Sequence, residues 1–389
     1  MQSSVAAVTR RLVFWQPCLS PHTASLFAAM ARLAPSLRIV SCADQGLPLA
    51  RKVLGWSVQE ADGYENLVSP SNEDIEKLVA SDLNGTLHVF SGVRWVPMIV
   101  KALARVRKRQ ARIAIMSEPR VREGWRGELR FLHSSLTEFG LTRRAEFILA
   151  IGRNGPPWFE SVGYPPERIL PFAYFVDPPN GGIHAALPDD EPARRVKLGF
   201  LGRLVEMKGV FDIVVAAATL KDACELHIAG TGADESRLKV MCAELGLAAK
   251  FHGVIPIDSV GSFLGAIDVL VLASTSKDDG WGVVVSEALM CGTAVVATDC
   301  VGASLVLDQP LAGRVVPARS PANIADAILD LRQGAAFGAA VRGERARWAR
   351  SILGAQHGAA HLLNIIAWRD GFAPRPGAFH HSDRHAAGL

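Results

Sequence analysis

The sequence predicts an α/β protein built from two mostly parallel sheets, each covered by helices, and three features carry that prediction. Short β-branched runs alternate with helical patterns through the first half, a stretch crowded with proline and glycine interrupts them, and the alternation restarts at Val196. At 389 residues the chain also exceeds one ordinary core, so two domains are the natural division.

Arg11 to Gln16 reads as the opening strand. Ser20-Pro21 then suits an N-cap and first helical residue, because proline's fixed φ fits the first turn and its missing N–H would find no partner there anyway. An apolar helix follows to about Leu33, with further strands at Leu37 to Ser41, Leu87 to Ser91, Arg112 to Met116 and Phe147 to Ile151. Pro156-Pro157, Pro165-Pro166, Pro178-Pro179 and Gly181-Gly182, ending in Pro188-Asp189-Asp190-Glu191-Pro192, read as the approach to a linker. In the second half the strands are Val196 to Leu201, Glu225 to Ala229, Lys250 to His252 and Val269 to Ala273. Helices at Val210 to Leu220, Glu235 to Leu245 and Ser259 to Leu264 alternate with them. The division is therefore a first domain over 1–176, a linker over 177–195, a second domain over 196–335 and a helical segment over 336–370, with its helix at Ala339 to Trp368. Residues 371–389, rich in Gly, Pro and His, read as a mobile tail whose His380-His381 and His385 are better explained as solvated than as metal ligands.

With 49% hydrophobic and 21% charged residues the chain can bury large cores and is not a disordered polymer. Its six cysteines stand singly, with no Cys-x-x-Cys pair and no zinc spacing, which points to a reducing cytoplasm. The first residues lack a secretory pattern and no apolar run reaches the roughly 18 residues that span a bilayer, so a cytoplasmic protein, soluble or peripheral to the membrane, is expected. Between Lys101 and Arg130 there are ten Lys and Arg against three acidic residues, which calls for an anionic partner. Lys101, Arg105, Lys108 and Arg112 follow i, i+4 and i+3 spacings that predict one basic helical face opposite Val96, Ile99, Val100, Leu103 and Val106. Such a face suits an anionic membrane surface or a pyrophosphate-linked acceptor, with ordinary solvated charge as the alternative. Nucleic acid is disfavoured, since no recognisable nucleic-acid module accompanies the patch.

The most informative segment is Lys277 to Asp299, where a Gly280-Trp281-Gly282 turn releases into a short helix and then a β-branched strand. Asp279 and Glu287 lie across that turn. The backbone N–H groups of Val283 and Val284 would point out of the helix start, where unsatisfied donors and the dipole favour an anion such as phosphate. Gly202-Arg203 and Lys208-Gly209 follow a strand, at the edge where a doubly wound sheet places ligands. Arg203 offers a planar fork and Lys208 a mobile point charge, sufficient together to neutralise a diphosphate without a metal. Gly230-Thr231-Gly232 is either a tight structural turn or a ligand loop, with Glu235 where a dinucleotide fingerprint would have its third glycine. His252-Gly253-Val254 closes another strand and can face a nucleobase edge or be a satisfied strand-end histidine.

Taken together these segments resemble the C-terminal domain of family 4 retaining glycosyltransferases, whose GT-B fold sets two Rossmann-like domains across a cleft. The matching pieces are Gly202-Arg203 with Lys208-Gly209, Gly230-Thr231-Gly232, Phe251-His252-Gly253-Val254, Asp279-Gly280-Trp281-Gly282, and Ser286-Glu287-Ala288-Leu289 with Gly292-Thr293-Ala294-Val295-Val296-Ala297. The resemblance implies a nucleoside-diphosphate sugar as donor, no metal and no other cofactor. It also implies that Arg203 and Lys208 hold the diphosphate, Glu287 the ribose hydroxyls, and Asp279 the transferred sugar. Gly202, His252, Val254, Gly280, Trp281, Gly282, Val283 and Val284 complete the expected donor site. Family members usually carry Glu where this chain has Asp279, and a glycine-rich turn where it has Pro17-Cys18-Leu19-Ser20-Pro21-His22.

The first half resembles the family mainly in layout. Many members place a histidine where this chain has Ser117-Glu118-Pro119, so His22, Ser117 and Glu118 are the acceptor-side candidates, with His133 weaker. Glu118 either takes a polar role in the site or pairs with Arg120 or Arg122. The expected acceptor is a lipid-linked intermediate of surface polysaccharide. Two rivals stay open: another GT-B enzyme, such as a sugar-nucleotide epimerase, and a non-catalytic sugar-nucleotide-binding partner.

Overall fold

The structure, a computed structural model, describes residues 8–52, 56–57, 63–181 and 194–381. The chain forms two compact units. The first unit holds seven strands, β1 (Arg11–Cys18), β2 (Arg38–Gln45), β3 (Glu65–Val68), β4 (Thr86–Phe90), β5 (Arg112–Ser117), β6 (Ile148–Ile151) and β7 (Ile169–Phe172). Its helices up to that point are α1 (Pro21–Leu33), α2 (Leu49–Lys52), α3 (Asn72–Ala80), α4 (Pro97–Lys108), α5 (Gly124–Arg144) and α6 (Gly155–Val162). The strands lie in the order β3-β2-β1-β4-β5-β6-β7, each parallel to its neighbours.

The second unit contains β8 (Val196–Leu201), α7 (Val210–Leu220), β9 (Cys224–Ala229), α8 (Glu235–Glu244), β10 (Ala249–Gly253) and α9 (Val260–Ala266). It continues with β11 (Val269–Leu272), α10 (Val283–Met290), β12 (Ala294–Thr298), β13 (Gly313–Val316), α11 (Pro321–Gln333) and α12 (Ala339–Leu353). Its sheet runs β10-β9-β8-β11-β12-β13, again all parallel. Each sheet therefore reverses its strand order once, between β1 and β4 and between β8 and β11. At such reversals the loops leave to opposite faces and open a crevice beyond the strands' carboxyl ends. The central strands β4 and β12 are buried at every position, as strands covered on both faces must be.

The single helix expected over Ala339 to Trp368 is two helices, and they belong to different units. Gly354 breaks the run with extended ψ, and α13 (Ala355–Arg369) returns to the first unit, where it packs against α1. Gly358 is needed there, because a Cβ would come within 2.1 Å of the Phe175 ring. In the second unit α12 is fixed by two buried arginines: Arg342 donates to the carbonyls of Ile267 and Gly265, and Arg345 to those of Leu311, Gly292 and Ala336.

The segment read as a mobile tail also needs correction over its described part, 371–381. Phe379 is buried with its ring edge against Phe175, and its carbonyl meets His357 Nε2 at 3.1 Å. Arg375 donates to the carbonyls of Glu167 and Ile169. Composition missed this because one aromatic and one arginine are enough to hold an eleven-residue stretch rich in glycine and proline once a docking surface exists. His385 and residues 182–193 of the expected linker lie outside the described residues. Among the described residues no helix is long and apolar enough to cross a membrane.

Candidate functional site

In the second unit the loops after β8 and β11 meet at the strand-order reversal. Gly209 allows it: its φ is 66°, and a Cβ would sit 1.8 Å from the Ala273 carbonyl oxygen. Thr275 N–H donates to the Met207 carbonyl at 2.9 Å, tying the two loops together. Lys208 consequently forms a short ion pair with Asp279, whose other carboxylate oxygen accepts from the Ser274 hydroxyl. The pair is largely withdrawn from water, with 16% of the lysine side chain and 3% of the aspartate exposed. Lys208 keeps two donor hydrogens for a further anion, but its position is now set by Asp279. Ser274 had escaped notice, since nothing in sequence singles out a serine five residues before an aspartate.

Arg203 lies on the same edge, exposed and without a carboxylate partner among the described residues. Beyond the Gly280-Trp281-Gly282 turn, α10 begins at Val283, with Gly282 in the left-handed region at φ 78°. The amides of Val283 and Val284 have no acceptor among the described residues, and both residues are part exposed. This end of α10 is an open set of N–H donors. Trp281, expected to line the donor site, is instead a core residue at 1% exposure, its indole N–H donating to the Ser286 hydroxyl at 2.9 Å. A large apolar ring in the turn gains more from the core than from the loop surface.

Glu287 is half-buried on α10, with no hydrogen-bond or ion-pair partner among the described residues. Burial pushes its carboxyl up to about 7. The glycines 230 and 232 prove to be packing requirements, since Cβ atoms there would lie 1.9 Å from the Gly202 carbonyl and 2.2 Å from that of Leu204. They hold the β9 turn against the arginine-bearing loop, with Leu204 N–H donating to the Thr231 carbonyl at 2.9 Å. His252 is exposed on the edge strand and stacked on His227, ring centroids 5.2 Å apart, while Val254 stands open beside it.

In the first unit the carboxyl ends of β1, β5 and β7 gather a second polar cluster. Ser117 donates through its hydroxyl to the Glu118 carbonyl at 3.0 Å. The Glu118 carboxylate takes the hydroxyl of Tyr174, and burial followed by that carboxylate pushes the tyrosine well above its ordinary value. Pairing of Glu118 with Arg120 or Arg122 is not what the fold chooses: Arg122 bonds Glu128, and Arg120 reaches Ser134 and the Trp95 ring. Tyr174 was not anticipated, because β7 was not recognised as a strand. His22 sits in the first turn of α1, edge-on to Trp56, and burial with the nearby Arg51 charge pushes it down to about 4. His133 meets Arg94 at 2.9 Å.

The expected basic face dissolves in part. Arg112 is not on the helix but on β5, where it bonds Glu146, Asp370 and Thr9. Arg105 donates to Glu76 at 3.1 Å and to Asn72 at 3.3 Å, because α3 packs beside α4 and presents those residues. Only Lys101 and Lys108 of the four remain exposed and unpaired among the described residues.

Residues 189–346 match the family model described as Glycosyl transferases group 1. Among curated relatives, a D-inositol 3-phosphate glycosyltransferase of Geodermatophilus obscurus is 27% identical over 63% of this chain and 56% of its own. A GDP-mannose-dependent monoacylated alpha-(1-6)-phosphatidylinositol monomannoside mannosyltransferase of Corynebacterium glutamicum is 30% identical over 46% of this chain and 52% of its own. The chain thus spans about half the length of these two relatives. Anabaena HepE, solved in complex with UDP, matches in fold with a TM-score of 0.68 at 15% identity, over 92% of this chain and 100% of that one. The lipopolysaccharide outer core galactosyltransferase WaaB in its apo form matches with a TM-score of 0.65 at 15% identity, covering 92% and 99%.

Proposed function

We propose that this chain is a retaining glycosyltransferase that takes a sugar from a nucleoside diphosphate held by the second unit and gives it to an acceptor held by the first. One observation carries the reading: unpaired Arg203, carboxylate-held Lys208 and the open start of α10 lie on the β8 and β11 edge of a segment matching the group 1 glycosyltransferase model. Three sources of positive potential there suit a diphosphate.

In the proposed reaction the bond from the anomeric carbon to the β-phosphate oxygen breaks and its electron pair passes to the diphosphate. The acceptor hydroxyl attacks the same face, and its proton goes to the departing phosphate. Arg203, Lys208 and the Val283 and Val284 amides stabilise the charge that accumulates on that leaving group. Glu287 receives the ribose hydroxyls, and Asp279 acts chiefly by positioning Lys208. The scheme calls for no metal, so full activity in excess EDTA is expected.

For the acceptor we favour a lipid-linked intermediate of surface polysaccharide, met by a cytoplasmic enzyme at the membrane surface. Support comes from the mannosyltransferase relative, named for a phosphatidylinositol-linked acceptor, and from the basic excess of the first unit. One observation favours the non-catalytic alternative: Asp279 is tied to Lys208 rather than free for a sugar. A thermal-shift panel of UDP-, GDP- and ADP-sugars, followed by assay of free sugar from whichever stabilises the protein, tests both. Stabilisation with slow sugar release is expected. Stabilisation without any release would favour the binding protein, and no stabilisation by any member would remove the donor site.

A further inference from the structure

Helix α5 is built inside out. Its fully buried residues are Gly127, Ser134, Glu138, Leu141 and Thr142, mostly polar or small, with Phe131 half-buried beside them against Trp158. Trp125, Leu129, Leu132, Leu136 and Phe139 form a stripe at spacings of four, three, four and three along the opposite face, and all are exposed, Leu136 by 78% and Trp125 by 70%. By sequence alone that stripe is the one a helix turns to its core. Here a polar anchor prevents it: the Glu138 carboxylate, almost wholly buried, accepts from Arg94 at 2.8 Å and from the Tyr164 hydroxyl at 2.8 Å. Arg94 and Arg120 both also reach the buried Ser134 hydroxyl. Rotating α5 to bury its leucines would strand this carboxylate and two guanidinium groups in an apolar interior. The apolar face, about 21 Å long at 1.5 Å per residue, is therefore fixed outward.

Such a contiguous stripe on a soluble surface marks a contact, and the charges around it identify the occupant. Arg126 and Arg130 line one flank and Arg143 stands at its end over the Phe139 ring, none with a carboxylate partner among the described residues. Glu128, the exposed acid nearest the stripe in sequence, is already spent on Arg122. Trp95, 83% exposed beneath Arg120, adds an indole of the kind that settles at lipid headgroups. A symmetric contact with a second copy would oppose arginine to arginine, whereas an anionic bilayer meets both the leucines and the arginines.

We propose that the outward face of α5 inserts into the headgroup boundary of an anionic lipid bilayer, with Trp125, Leu132 and Leu136 in the acyl edge and Arg126, Arg130 and Arg143 on lipid phosphates. The proposal rests on the membrane part of the functional reading, not on sugar transfer, and it moves the docking surface from α4 to α5.

Co-sedimentation of the full chain with phosphatidylcholine vesicles, with and without phosphatidylglycerol, tests it. Wild type should bind the phosphatidylglycerol vesicles, and Leu132→Ser with Leu136→Ser should lower partitioning by about thirtyfold, or about 2 kcal/mol at 1.4 kcal/mol per tenfold. Both leucines lie off the buried face, so the double variant should keep its unfolding midpoint. Arg126→Gln with Arg130→Gln should weaken binding only where phosphatidylglycerol is present. If the leucine variant binds like wild type while Lys101→Gln with Lys108→Gln does not, the membrane reading survives and α5 is the wrong surface. If wild type binds neither vesicle, the inference and the membrane part fail together while sugar transfer stands. Concentration-dependent dimers abolished by the leucine changes, without vesicle binding, would assign the face to a second copy and overturn the proposal.

Discussion

Replacing Glu287 by Gln should make the protein more stable in alkali and leave it unchanged in acid. Burial holds the carboxyl at about 7 against an ordinary 4.5, a difference of roughly 3 kcal/mol at about 1.4 kcal/mol per pKa unit, which water at its half-open side trims to roughly 2. The folded state keeps this proton where the unfolded chain has lost it. Stability is thus lost as pH rises from 4.5 towards 7, and the cost is complete above that. Glutamine has no proton to lose. His22, His88 and His361, pushed down by burial to about 4, 3 and 4, impose the opposite slope, losing stability as pH falls below 6.5. The total profile therefore hides both effects, and the quantity to measure is the difference between variant and wild type. Urea unfolding followed by circular dichroism at intervals from about pH 5 to about pH 8 should show that difference growing by roughly 2 kcal/mol in favour of Glu287→Gln. A difference that stays flat would mean that Glu287 is ordinarily solvated and that its isolation on α10 is not real.

The same carboxyl links pH to donor binding: nucleoside diphosphate affinity of the wild type should rise through about pH 7, as Glu287 ionises to accept the ribose hydroxyls. Glu287→Gln should bind more weakly and without that dependence, and calorimetry giving equal affinities would remove Glu287 from the ribose. Lys208→Met should cost about 3 kcal/mol of stability by leaving Asp279 buried and uncompensated. Adding Asp279→Asn should restore most of that stability while turnover stays at least about tenfold down. Thermal unfolding and donor turnover measured together check this, and wild-type turnover in the double variant would free Lys208 from any role. Gly209→Ala should lose at least about 2 kcal/mol in urea unfolding, because its Cβ meets the Ala273 carbonyl; an unchanged midpoint would show that the β8 loop can yield.

The second unit was legible almost strand by strand because helical stretches separate short apolar runs, three of them closed by Gly202, Gly230 and Gly253, and β8 through β11 lie within a residue or two of where the pattern puts them. Strands β3, β7 and β13 were missed. Each is only four residues long, and β7 carries a proline, so neither alternation nor length marks them. The crossing of α13 to the first unit had no local signal, since what decides it is the fit of Phe175 over Gly358. The same limit applies in the site. Lys208 and Asp279 were both singled out as chemistry-bearing, but their pairing depends on two loops being brought together by the strand order β8-β11. Helix α5 shows the limit more sharply. Its stripe is visible as spacing, and only the buried Arg94, Glu138 and Tyr164 cluster tells which way it faces.

A donor diphosphate leaving from the edge formed by the β8 and β11 loops is the proposed event on which the other roles depend. It is tested most directly by the rate at which nucleoside diphosphate is released from the stabilising sugar nucleotide, in excess EDTA, by wild type and by Arg203→Ala. Arg203 is exposed and unpaired among the described residues, so its removal should leave the unfolding midpoint unchanged. Measurable release by the wild type is expected, with at least about a tenfold loss in the variant, or about 1.4 kcal/mol of barrier. Equal rates for the two proteins, or release that appears only when Mg²⁺ or Mn²⁺ is restored, would contradict it.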